Sequence, residues 1–159
     1  MTAYGCKHAP VGASSFRIED FKTTAQAVHA RDLRIEKPTD VFVDAKPIGN
    51  LVNPAYPPQA LANRVSAIIS VRVAVNASGV ATDEGRGLVD LSLPTPYDHE
   101  FRAAVDAALA QWRFQPAKIA HLLPRANQTP VIVGIDVIER TYAVVFTFSL
   151  SAGSSVTLK

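Results

Sequence analysis

The chain has 159 residues, of which 48% are hydrophobic and 19% charged, with a formal net charge of +2. That length and apolar content suit one compact domain with flanking segments and exclude disorder throughout. The sixteen Lys and Arg form no run, which argues against nucleic acid as a partner, and no apolar stretch reaches the roughly 20 residues that span a bilayer.

Residues 1 to 13 are small and polar without periodicity and read as a terminus or tether. Cys6 is the sole cysteine, so no internal disulfide can form and no Cys-based metal-ligand spacing exists. Gly5-Cys6 resembles the remnant of a lipoprotein processing site, although an inert thiol near a frayed end is the plainer account. Thr24 would cap a short helix through Ala25, Ala27 and Val28 to Arg31. Leu33-Arg34-Ile35-Glu36 and Val41-Phe42-Val43-Asp44 alternate apolar with polar around Lys37-Pro38-Thr39-Asp40, the pattern of a hairpin. Residues 1–45 are therefore expected to be an extension laid against a main domain.

The main domain is expected over residues 46–150. Pro57 or Pro58 suits the first turn of a short helix closing at Asn63. From Val65 to Val75 the apolar residues Val65, Ala67, Ile69, Val71, Val73 and Val75 share one face of a long strand. Asn76-Ala77-Ser78-Gly79 supplies a turn, and a second strand would run from Val80 through a bulge at Gly85 or Gly87 to Leu93. With Asp98 as N-cap, Phe101, Val105, Ala108, Leu109 and Trp112 form the apolar stripe of a helix from His99 to Trp112, which Pro116 ends. A polar loop through Pro124 to Gln128 leads to strands at Val131–Val137 and Tyr142–Leu150, and residues 151–159 form a Ser/Gly-rich tail. The predicted fold class is α+β: a small antiparallel sheet with two helices packed on one face and an extra N-terminal β segment.

Chemistry-bearing groupings are sparse. Asp98-His99-Glu100 and Asp83-Glu84 are the local clusters an enzyme would use, but acidic residues at a helix start satisfy its N–H groups without any catalytic role. His8, His29, His99 and His121 show neither i, i+4 spacing nor a Cys partner, so no metal site is expected. A Gly-rich phosphate loop and a Gly-x-Ser-x-Gly elbow are both absent from the sequence. The expectation is a binding domain without catalytic residues or cofactors.

Two segments carry a resemblance: Ala55-Tyr56-Pro57 before the short helix, and Ala103 to Ala117 with its ending Trp112-Arg113-Phe114-Gln115-Pro116-Ala117. In this order, with a Gly-turn hairpin between them and a strand after them, they resemble the C-terminal domain family of the TonB energy transducers over about residues 46–150. The resemblance implies a periplasmic protein–protein interaction domain that binds an extended segment of an outer-membrane transporter by β-strand addition. Asn53, Ala55, Tyr56, Tyr142, Val144, Phe146 and Phe148 would then contact the partner, with Tyr142–Leu150 as the open edge. Pro57, Trp112, Arg113, Phe114 and Pro116 would be structural, with Trp112, Phe114 and Tyr56 in the core and Arg113 at the helix C-terminus. Lys118 to Thr129 is longer than the usual family loop, and Ala55 stands where a polar residue is frequent. The alternative is a structural or adaptor component of an envelope assembly, with a lipid anchor as one form of it, in which residues 14–45 cover the binding edge; a homodimer is open under either reading.

Overall fold

The computed structural model describes residues 10–19, 40–85, 92 and 94–151. In chain order its elements are β1 (Val11–Ile18), β2 (Asp40–Val43), β3 (Lys46–Pro47), α1 (Pro58–Ala62), β4 (Ala67–Val75), β5 (Ala81–Asp83), α2 (Asp98–Leu109), β6 (Phe114–Gln115), β7 (Ala117–Arg125), β8 (Gln128–Ile138) and β9 (Arg140–Ser151). Strands account for 54% and helices for 15% of the described residues. The α+β expectation of two helices on one small sheet is thereby corrected to a mainly antiparallel β fold of open sheets. The reason lies in residues 118–129: most of this segment, expected as a connection longer than the usual family loop, is strand β7, which joins β8 and β2 in a sheet of its own.

The main sheet has the order β1-β9-β4-β5, with every pairing antiparallel. Its inner face follows from strand alternation. Phe16, Phe146 and Ile69 lie in one row across three strands, and Ile18, Val144 and Val71 in the next. Against this face lies the α2 stripe of Phe101, Val105 and Leu109, all buried. Phe101 meets Phe148 with ring centroids 4.7 Å apart, and Trp112 meets Phe16 at the same separation. A further two-stranded ladder, β3 with β6, sets Pro47 opposite Phe114.

Several expected details change. Tyr97, not Asp98, caps α2, and its side chain makes no capping bond; Asp98 is the first helical residue and accepts from Arg102 Nε, one turn on, at 2.9 Å. The helix stops at Leu109, so Trp112 sits in the turn after it and Phe114 begins β6. Asp40–Val43 pairs with β7. The expected helix at Thr24–Arg31, the strand Leu33–Glu36, and most of the expected strand after Gly85 lie outside the described residues. At the tip of the β4–β5 turn Gly79 has φ +77°, and a Cβ there would stand 1.9 Å from the Phe114 carbonyl oxygen. Only glycine allows that close approach, which is closed by the Phe114 amide donating to the Gly79 carbonyl at 2.9 Å.

Candidate interaction surface

The residues expected to contact a partner fall into two groups. Tyr142, Val144, Phe146 and Phe148 are each at most 2% exposed and belong to the core. Their strand β9 carries β1 on one side and β4 on the other, with registers Phe16↔Phe146 and Ile69↔Phe146. The expected open edge at Tyr142–Leu150 is therefore an interior strand, occupied by the chain's own Val11–Ile18. Asn53 and Ala55 are exposed, while Tyr56 is half-buried. The Tyr56 hydroxyl donates to the Val65 carbonyl at 2.6 Å, and its ring meets Phe101 and Phe148 edge-on. Burial raises its pKa. Gly12 of β1 lies so close to this ring that a Cβ would meet it at 2.5 Å. Tyr56 is thus a packing residue shielded by β1.

The structural motif residues pack the junction behind α2. The Trp112 indole N–H donates to the Val52 carbonyl at 2.9 Å, tying the Tyr-Pro segment to the end of α2. Arg113 Nη1 donates to the Ala110 and Trp112 carbonyls at 2.8 and 2.7 Å, placing a cation at the negative end of the helix. Phe114 and Pro57 are buried, and Pro116 is half-buried between β6 and β7.

The surface that sequence reasoning missed is the sheet β2-β7-β8. Registers Val41↔Ala120↔Ile135 and Val43↔Lys118↔Val137 place these residues on one face. Val41, Val43, Ile135 and Val137 are between 41% and 51% exposed there. Ile132 and Val133, exposed at 56% and 62%, extend the apolar run past a bulge at which Val133 has no register partner in β7. Among the described residues β8 is bonded to β7 alone, so its outer side presents main-chain groups that no described strand pairs. Asp136 is the one charge from Gln128 to Ile138. Pro130 fits such a position, since proline in a sheet is confined to edges and bulges. The legible signal was Val131-Ile132-Val133, which is too apolar for a half-exposed strand; Pro124 and Asn127 made the preceding β7 look like loop.

On the opposite face His121 Nδ1 lies 2.8 Å from Asp40 Oδ1 and Nε2 lies 2.8 Å from Asp136 Oδ2. Hydrogen bonds to Asp136 and then Asp40 raise the His121 pKa above its ordinary 6.5. Deeper in, Asp44 Oδ1 accepts from the Tyr142 hydroxyl at 2.5 Å and from Arg140 Nε at 3.3 Å. The Arg140 guanidinium is sandwiched against Phe42 and Tyr142, 5.4 and 5.3 Å from the ring centroids. Burial, then the hydrogen bond to Asp44, pushes the Tyr142 phenol far up. This cluster fastens the β2–β3 link to β9.

A third feature is the carboxylate pair of Asp83 and Asp106, which lines an open depression with Ala81, Thr82, Gly85, Leu109 and Ala110. Burial and a hydrogen bond with Asp83 push Asp106 up to about 6. The depression is not the enclosed setting that carboxylate catalysis needs. Among the described residues no three His, Cys, Asp or Glu gather as metal ligands, and no helix is long and apolar enough to cross a membrane. No family model matches the chain, and no curated protein matches it.

Proposed function

We propose that this chain is a protein–protein interaction domain of the bacterial cell envelope, acting in the periplasm as an adaptor and related in sequence pattern to the C-terminal domains of TonB energy transducers. Its support is the Tyr56-Pro57 and Trp112-Arg113-Phe114-Gln115-Pro116-Ala117 segments, together with the wiring of the sheets. The observation that carries the adaptor reading over transporter capture is the pairing of β1 with β9, which occupies the edge a transporter segment would take. The open position is β8. Its partner is an extended segment, rich in β-branched residues and poor in charge, that adds to the β8 main chain and lays alternate side chains beside Ile132, Val133, Ile135 and Val137. The near-absence of charge along β8 favours such a segment over an acidic or basic one.

The test is site-specific photo-crosslinking in living cells, with the probe placed in turn at Val133, Ile135, Asn53 and Ala55. Adducts from Val133 and Ile135 to one envelope protein, lost when Gly134→Pro breaks the strand, support the proposal. Adducts from Asn53 and Ala55 alone would revive transporter capture at the Tyr-Pro side. An adduct between two copies of the chain would replace the hetero-partner with a homodimer.

A further inference from the structure

One imidazole joins all three strands of the exposed sheet. His121 of β7 stands opposite Asp40 of β2 and Gly134 of β8, and its two ring nitrogens each lie 2.8 Å from a carboxylate oxygen. A neutral imidazole has one N–H and one lone pair, whereas an ionised carboxylate only accepts. Both contacts are hydrogen bonds together only when the ring is imidazolium, and both are then charge-assisted. The carboxylates differ sharply in their access to water: the Asp40 side chain is 2% exposed and that of Asp136 is 69% exposed. When the ring loses a proton, the remaining N–H stays with buried Asp40, which water cannot solvate. The lone pair on Nε2 then faces the Asp136 carboxylate, which at 69% exposure has water on its other side.

Among the described residues the other charges nearby do not substitute for this one. On β7 strand alternation sends Lys118 to the opposite face. Beyond the Phe42–Ile119 pair, Arg140 of β9 stacks on Phe42 and is held by Asp44. Among the described residues, Asp40 and Asp136 are the groups in contact with the ring.

We infer that His121 is a protonation latch on the β8 edge: protonated, it holds Asp136 against β7 and cancels the edge strand's one charge; deprotonated, it releases a bare carboxylate beside the strand to which a partner adds. The inference rests on β8 being the docking edge. A free charge on an edge strand is a recognised obstacle to strand addition, so docking is favoured at lower pH. The sign follows from linkage. A histidine raised in the folded state adds stability that is full below 6.5 and is lost as pH rises through the raised value. The switch therefore lies on the alkaline side of an ordinary histidine.

The test uses the whole chain in two arms. In the first, the His121 ring signals and the exchange protection of the Val131–Ile138 amides are followed by NMR against pH in wild type, Asp136→Asn and His121→Gln, with exchange corrected for its intrinsic pH dependence. Expected are a lower titration midpoint for His121 in Asp136→Asn, and a several-fold loss of β8 protection across the transition in wild type alone. An unshifted midpoint, or protection that crosses the transition unchanged, overturns the latch. In the second arm a synthetic peptide of the sequence Gln128–Ile138, acetylated and amidated at its ends, serves as the extended, singly charged probe. Binding that weakens several-fold above the transition in wild type, but not in Asp136→Asn, supports the gate; binding without that dependence overturns it. A working latch in the first arm with no peptide binding at any pH counts against β8 as a docking edge and leaves the latch itself standing.

Discussion

Proline substitution in β9 distinguishes an interior strand from an open edge. Val145 lies between Arg17 of β1 and Ser70 of β4, and Thr147 lies between Ser15 and Ile68. With a neighbour on both sides, neither amide faces solvent, so Val145→Pro or Thr147→Pro removes a ladder donor and leaves a carbonyl on β1 or β4 without its partner. An orphaned group of that kind costs about 1–3 kcal/mol. The ring also fixes φ near −65°, against about −140° in an antiparallel strand, which bends both ladders and brings the total to about 3 kcal/mol or more. Against a typical stability of about 5–15 kcal/mol this is a large loss, and at an m-value of about 1–3 kcal/mol per molar urea it lowers the midpoint by about 1–3 M. Val133→Pro in β8 is the control. Val133 is the bulged, 62% exposed residue without a register partner, so proline there should cost less than about 1 kcal/mol. Urea unfolding followed by Trp112 fluorescence gives all three values. A neutral proline at both β9 positions would mean that β1 does not cover this strand in solution, and the adaptor reading would fail with it.

Leu109, 2% exposed beneath the main sheet, should lose about 2–5 kcal/mol as Leu109→Ala; an unchanged midpoint would put the α2 stripe in water. Asp106 binds its proton more tightly folded than unfolded, so its contribution is full below pH 3.8 and is lost as pH rises through about 6. Asp106→Asn keeps a donor towards Asp83 at every pH and should therefore be more stable than wild type at pH 8, with the difference shrinking towards pH 4; a constant difference would show that the pair does not share a proton. Zinc, ATP and NAD should leave the melting temperature unchanged in a thermal-shift screen, because ligand binding to the native state must raise it by mass action. A reproducible rise for any of them would overturn the expectation of a binding domain without cofactors.

Local periodicity was a good guide wherever one element faced one core. The α2 stripe of Phe101, Val105 and Leu109 and the alternation from Ala67 to Val75 are visible in the residues, because a helix repeats every 3.6 residues and a strand every two whatever they pack against. The Gly79 turn and the burial of Trp112 and Phe114 were legible for the same reason. Strand partnership was not. Whether β9 ends the sheet or lies inside it depends on Val11–Ile18, and the Ser149 hydroxyl that reaches the Ala13 carbonyl is 136 residues from it in sequence. Alternating residues are compatible with either arrangement, since main-chain hydrogen bonding is nearly blind to side chains. The latch was equally hidden: His121 and Asp40 are 81 residues apart, and no spacing rule joins them. Among the described residues the sequence by itself determined the apolar stripe of α2, the apolar face of β4 and the turn at Gly79. Only the tertiary structure decided which strands meet, because that choice is made by long-range register, and a register has no signature until two distant segments lie side by side.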